Sequence, residues 1–236
     1  VAGWPLGAGG GTMGVEVRCG TVCAGMQDVA RMARMQGDSG QMAGATILER
    51  AADARGIGLA ADKTVIGQHG GACVEMLPGA DMLPDHGFIG CEPYLNGVLG
   101  ALQHIRDGHL ANVRLHMGNA LDVLERIPDG ALSFVYLLHP DPWPKARHAK
   151  RRFMNHGPIG LIAQKLKPGG EFRFGTDHPV YLEWACMIMN QRDEFDWLCE
   201  SPKDWMIRPG GWPETRYEAK ARRQGHDVWY FRYRRK

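Results

Sequence analysis

The sequence predicts an α/β fold in which short buried strands alternate with helices and two further strands close the chain. Three observations carry this. Residues 131–138, ALSFVYLL, are a run of β-branched, aromatic and aliphatic side chains that reads as a strand buried on both faces. The residues that follow, HPDPWP, cannot be helical: Pro140, Pro142 and Pro144 each set their own φ and push the preceding residue into extended geometry. From residue 87 onward, strand-like and helix-like segments alternate, as in a layered α/β domain. In open sheets of that kind ligands bind beyond the carboxyl ends of the strands, where this stiff loop stands.

Residues 1–60 fit no such element. They hold 13 Gly, no Lys and no convincing strand, and only a weak helical pattern over about 41–54. They read as an atypical Gly- and Met-rich leader, irregular in structure, ahead of one domain over 61–236. From Val65 the chain runs VIGQHGGACVE, a strand followed by a turn with Gly67, Gly70 and Gly71. Such a turn either lets backbone approach a ligand or is a plain loop. Gly87 to Glu92, GFIGCE, is a short apolar strand closed by an acid. Glu92 is placed to accept both hydroxyl hydrogens of a ribose, or else it caps a helix that Pro93 would start.

Residues 95–107 read as a helix stopped by Gly108, and 112–116 as the next strand. Asn119 is well placed to cap the helix after it. Beyond the proline loop a helix over 157–166 ends at Lys167-Pro168-Gly169-Gly170, and 171–175 form a strand. Thr176 and Asp177 lie at its carboxyl edge, where Thr-Asp-His-Pro is also a good helix start. Residues 179–190 form an amphipathic helix. Residues 195–199 and 228–233 alternate like strands and, with no helix between them, should pair antiparallel.

At 236 residues the chain has ample length for a core. Its net charge is only +2, but residues 139–236 hold 19 Lys and Arg against 12 Asp and Glu, while the rest holds 9 against 14. A basic half joined to an acidic one suits a surface that meets polyanions. The six cysteines show no C-x-x-C pair, and His148, His178 and His226 have no partners at metal-ligand spacing, so no metal is expected. The thiols read as reduced, in a cytoplasmic protein. No apolar run reaches the roughly 18 residues of a membrane span, and no signal peptide is visible at the start.

Several motifs then join in one order. PDPWPK, RHAKRR, KPGG and the Thr-Asp pair are followed by Thr215-Arg-Tyr-Glu218, Gly225-His and Val228-Trp. Together they resemble the bacterial tRNA (guanine-N7-)-methyltransferases, from about Asp85 to the C-terminus. The resemblance implies a Rossmann-like class I methyltransferase: a mostly parallel seven-stranded sheet with a C-terminal antiparallel hairpin, S-adenosylmethionine as cofactor, and tRNA as partner of a monomer or homodimer. It implies Glu92 at the cofactor's ribose and Asn119 at its adenine end, where the family usually has Asp. Gly67 belongs to the cofactor loop, and Asp141 serves both the cofactor and the reacting guanine. Lys145, Asp177, Thr215, Arg216, Tyr217 and Glu218 are the implied substrate contacts.

The chain departs from the pattern at two places. The family's Arg-rich N-terminal arm is missing, and after Thr64 a Val stands where the family has an acid, with the glycines wrongly spaced. One hypothesis is that residues upstream of about Pro84 are translated out of frame; reading the other two frames of the coding DNA tests it. The alternative function is an RNA-binding remnant with a damaged cofactor loop. A nicotinamide-dependent oxidoreductase would suit Glu92 but gives the proline loop and basic tail no role.

The chemistry asked of the loop is modest. Guanine N7 carries a lone pair and no proton, so its methylation needs no strong base, only alignment and stabilisation of moving charge. Asp141, held between two prolines, could accept from guanine N1–H and N2–H₂ and favour the cationic ring. Trp143 packs the loop or stacks on a base, and Lys145 meets O6 or a phosphate. Arg216, Lys220, Arg222 and Arg223 suit phosphates along folded RNA.

Overall fold

The computed structural model describes residues 64–69, 85–212 and 214–236. The leader, its weak helix and the Gly70–Gly71 turn lie outside the described residues, as does the stretch of the frame hypothesis apart from residues 64–69.

Strand β1 (Thr64–His69) and β2 (Gly87–Cys91) lead to helix α1 (Leu95–Asp107) and β3 (Val113–His116). Then follow α2 (Ala120–Leu124), β4 (Leu132–Leu138), a 3₁₀ helix (Ala146–Arg151), α3 (His156–Lys165), β5 (Leu166–Thr176) and α4 (Pro179–Met189). The chain ends with β6 (Phe195–Trp197), α5 (Lys203–Met206), α6 (Arg216–Arg223) and β7 (Trp229–Arg235). The seven strands form one sheet of order β3-β2-β1-β4-β5-β7-β6. The first five are parallel, and β7 inserts antiparallel between β5 and β6.

The continuous apolar run of β4 is explained by its place at the centre of the sheet. Val135 and Leu137 point to one core with Phe172, Phe174, Tyr181 and Ile159, while Tyr136 and Leu138 point to a second with Phe88, Ala101 and Ala221. Helices α2, α3 and α4 cover the first face; α1 and α6 cover the second. Burying each of Phe172, Phe174 and Phe231, all at most 2% exposed, contributes roughly 1.5–3 kcal/mol.

Three boundaries differ from the sequence reading. Pro93 does not start α1: Tyr94 is its N-cap, and Pro93 stays in the extended link after Glu92. Lys167-Pro168-Gly169-Gly170 is not a terminus between helix and strand but an excursion inside β5. Leu166 pairs with Leu132, and pairing resumes with Glu171 opposite Phe134. Gly169 has φ +78, and a Cβ on Gly170 would lie 2.9 Å from the Lys167 carbonyl, so both glycines are needed for the turn. Finally, β6 and β7 do pair antiparallel, yet two helices lie between them. Asp204 organises the first by accepting from the backbone N–H groups of Glu200 and Ser201, at 2.9 and 2.7 Å. The second is capped by Thr215, whose Oγ1 accepts from the Glu218 N–H at 3.0 Å.

Candidate active site at the carboxyl edge of the sheet

Strands β1 and β4 are neighbours in space, and the chain winds outward from them in both directions. That reversal opens a crevice beyond their carboxyl ends. The proline loop leaves β4 directly beside it.

The loop is anchored from below by His139. Its N–H donates to the Gly175 carbonyl at 2.8 Å, and its φ of +47 turns the chain out of the sheet. The ring is buried, with Nδ1 3.2 Å from Asp177 Oδ1 and its face stacked on Tyr217 (centroids 6.2 Å apart, planes at 21°). Asp177 therefore does not cap the helix after it. The N-cap of α4 is His178, with no side-chain cap, and its N–H is taken by Thr176 Oγ1 at 3.2 Å. The hydrogen bond from His139 holds the Asp177 carboxyl below the usual range, against the opposing effect of partial burial.

Asp141 and Lys145 stand exposed on the loop itself. Arg152, in the basic RHAKRR run after the loop, points inward and is 5% exposed. Its Nε donates to the Pro142 carbonyl at 3.1 Å, and its Nη2 to the Trp143 carbonyl at 2.9 Å. The guanidinium lies over the Trp184 ring, 4.7 Å from the centroid. Trp143, at φ +40, packs between Arg151, 4.9 Å above its ring, and the edge-on His148 ring at 5.8 Å. Trp143 is thus a packing residue, and the loop's shape is over-determined. Behind it the Met154 N–H donates to the Tyr181 hydroxyl at 3.1 Å. Arg147 and Lys150 remain exposed on the 3₁₀ helix.

The closing block divides in two. Thr215 and Glu218 are 2% and 1% exposed and turn into the fold. Besides the cap, Glu218 accepts from Arg222 Nε at 3.1 Å and lies 3.5 Å from Arg208 Nη1. Arg222 also donates to the Tyr230 hydroxyl at 3.1 Å, so it belongs to this internal network as well as to the basic surface. Arg216 is exposed, and Tyr217 reaches His139. Thr215 and Glu218 thus set the orientation from which their two neighbours project.

On the other side of the crevice Glu92 closes β2 and is fully buried, not a surface acid. Its Oε1 accepts from the Tyr94 N–H at 2.9 Å. Backbone bonds from Glu92 N–H to the His116 carbonyl (2.9 Å) and from Gly118 N–H to the Glu92 carbonyl (3.1 Å) fasten the ends of β2 and β3 together. The carboxylate lies over Gly97, where a Cβ would be 2.5 Å from Glu92 Cδ. Asn119 caps α2, its Oδ1 accepting from the Leu121 N–H at 3.0 Å, and its side chain stays exposed. Gly67 is not in the turn after β1. It lies within the strand, between Gly90 and Tyr136.

A carboxylate cradled over a glycine at the end of β2 fits the paired hydroxyls of a ribose. His139, Arg152 and Gly97 were not assigned roles from sequence. A His before Pro-Asp-Pro and an Arg directly before an apolar pair were the available signals for the first two.

Strand order, the acid closing β2 and a carboxylate on the loop after β4 define a class I methyltransferase. Residues 66–231 match the family model described as "Putative methyltransferase". A solved structure, PH0851, shares the fold at a TM-score of 0.56 and 13% identity, over 81% of this chain and 46% of that one. The chain belongs to the tRNA (guanine-N(7)-)-methyltransferase family. The relative of that name in Zymomonas mobilis is 68% identical over 68% of this chain and 70% of its own length. The one in Sphingopyxis alaskensis is 68% identical over the same shares, and the one in Erythrobacter litoralis 64% identical over 66% and 68%. Among the described residues no cluster could hold a metal ion, and no helix is long and apolar enough to cross a membrane.

Proposed function

We propose that this chain transfers a methyl group from S-adenosylmethionine to N7 of a guanine in the tRNA variable loop, in the cytoplasm. The observation that carries the reading is Asp141, raised on a clamped loop at the switch point of the sheet, in a chain so close to relatives of that name.

The bound cofactor supplies a methyl group on a positively charged sulfur. Glu92 holds its ribose hydroxyls, and the exposed amide of Asn119 faces its adenine end. Asp141 accepts from guanine N1–H and N2–H₂, which fixes the ring and orients the N7 lone pair. As N7 takes the methyl carbon, the carbon–sulfur bond would break and the sulfur would leave as a neutral thioether; the carboxylate of Asp141 would stabilise the positive charge that the purine gains. No proton moves in this step. Lys145 meets O6 or a neighbouring phosphate, Asp177 and Tyr217 line the base, and Arg216, Lys220 and Arg223 meet phosphates.

Incubating the protein with unmodified tRNA and methyl-labelled cofactor, then cleaving at N7-methylguanine, tests this directly. Label at another atom or another region of the tRNA would refute it. No label would favour the RNA-binding remnant, which the family relationship disfavours. Affinity for tRNA should fall at least about tenfold between roughly 50 and 200 mM salt, because phosphate contacts release counterions.

Gly97→Ala separates the cofactor half. The added methyl must displace the Glu92 carboxylate, while Ala is the better helix former and leaves α1 intact. Cofactor affinity should drop about tenfold or more by calorimetry, with tRNA affinity unchanged. Unaltered cofactor binding would remove Glu92 from the ribose site.

A further inference from the structure

We infer that His139 is a positioning residue for the methyl transfer, acting through Asp177 and Tyr217 to lock the base-facing ends of β4, β5 and α6 into one unit. The inference deepens the proposed function and rests on it.

Three elements meet at this ring and nothing in the chain order brings them together. His139 follows β4, Asp177 follows β5 38 residues later, and Tyr217 lies in the first turn of α6. The Nδ1 contact at 3.2 Å orients the Asp177 carboxylate, and the stacked ring fixes the plane of Tyr217. The backbone of His139 is itself pinned to Gly175, which leaves the imidazole little freedom. It also stands two residues before Asp141, so the same buried side chain sets where the loop begins. A His at φ +47 bears a conformational cost that most residues avoid, and here that turn is what aims the ring between its two partners. His139 is buried against Asp177 and Tyr217, the two residues through which it acts.

Two substitutions divide its contacts. His139→Phe keeps a flat ring for Tyr217 but has no donor for Asp177; His139→Asn keeps an N–H donor and tolerates the left-handed turn but loses the stack. His139→Phe should raise KM for tRNA and lower kcat/KM by about tenfold or more, with cofactor affinity unchanged. His139→Asn should recover part of that loss. Combining His139→Phe with Asp177→Asn should cost no more than Asp177→Asn alone, since both remove the same contact. Additive losses, or no loss in His139→Phe while wild type is active, would overturn the inference.

A titration of the Asp177 carboxyl by NMR gives a readout that does not need activity. The titratable groups acting on it are His139, in hydrogen-bond contact, and His178 beside it in sequence. Losing the His139 donor should move the midpoint upward, because that hydrogen bond is the main effect that holds it down. An unmoved midpoint would overturn the inference even if no methyl transfer were detected. Absence of N7 methylation by wild type together with a moved midpoint would fault the functional reading and leave the contact standing.

Discussion

Asp141→Ala should lower the turnover of guanine-N7 methylation by more than about 10²-fold, the loss expected when a preorganised charge contact is removed. The geometry makes the effect specific. Asp141 is exposed and lies between two prolines, so removing its carboxylate leaves the loop's anchors, His139 and Arg152, in place. Thermal stability should therefore change little, and tRNA affinity only slightly. Asp141→Asn should lose less, because one acceptor oxygen remains while the full charge is gone. A folded, nearly fully active Asp141→Ala protein would reduce this carboxylate to a turn residue.

Arg152→Met should unfold the loop rather than the reaction. The substitution keeps apolar contact with Trp184 but leaves the Pro142 and Trp143 carbonyls without their donor. Losing two charge-assisted bonds at a buried site costs roughly 2–4 kcal/mol. With the Trp143 carbonyl released at φ +40, Asp141 loses its fixed position and turnover should fall by about 10²-fold. The salt dependence of tRNA binding decides between this role and a phosphate contact. A cation on the RNA reduces the salt slope by about one when removed; a buried clamp leaves it unchanged. Arg152→Lys should rescue poorly, since a point charge cannot bond both carbonyls while lying flat on an indole. A reduced slope with a stable loop would make Arg152 a phosphate contact instead.

Much of the framework was legible because each signal was local. The apolar run of β4, the helix stop at Gly108, the Asn119 cap and the acid closing β2 each depend on residues a few positions apart, and all stand where expected. Helix α5, between β6 and β7, was missed because it spans four residues, too short to show a period. Thr215 and Glu218 illustrate a different limit. Thr-x-x-Glu is the pattern both of a capping box and of a motif carried by resemblance, and spacing alone does not separate the two.

What the sequence determined by itself is the class of the protein and the place of its chemistry. Prolines alternating with an acid and an indole admit one kind of backbone, and a strand before them admits one kind of location. What only the tertiary structure decided is which charges face inward. Arg151 and Arg152 are adjacent and chemically identical, yet the first lies exposed against Trp143 and the second is buried beneath the loop. His139 and Asp177 meet only because β4 and β5 are parallel neighbours whose carboxyl ends coincide. Charge and spacing are properties of the chain, but burial and pairing across a sheet are properties of its register. No local pattern encodes that register.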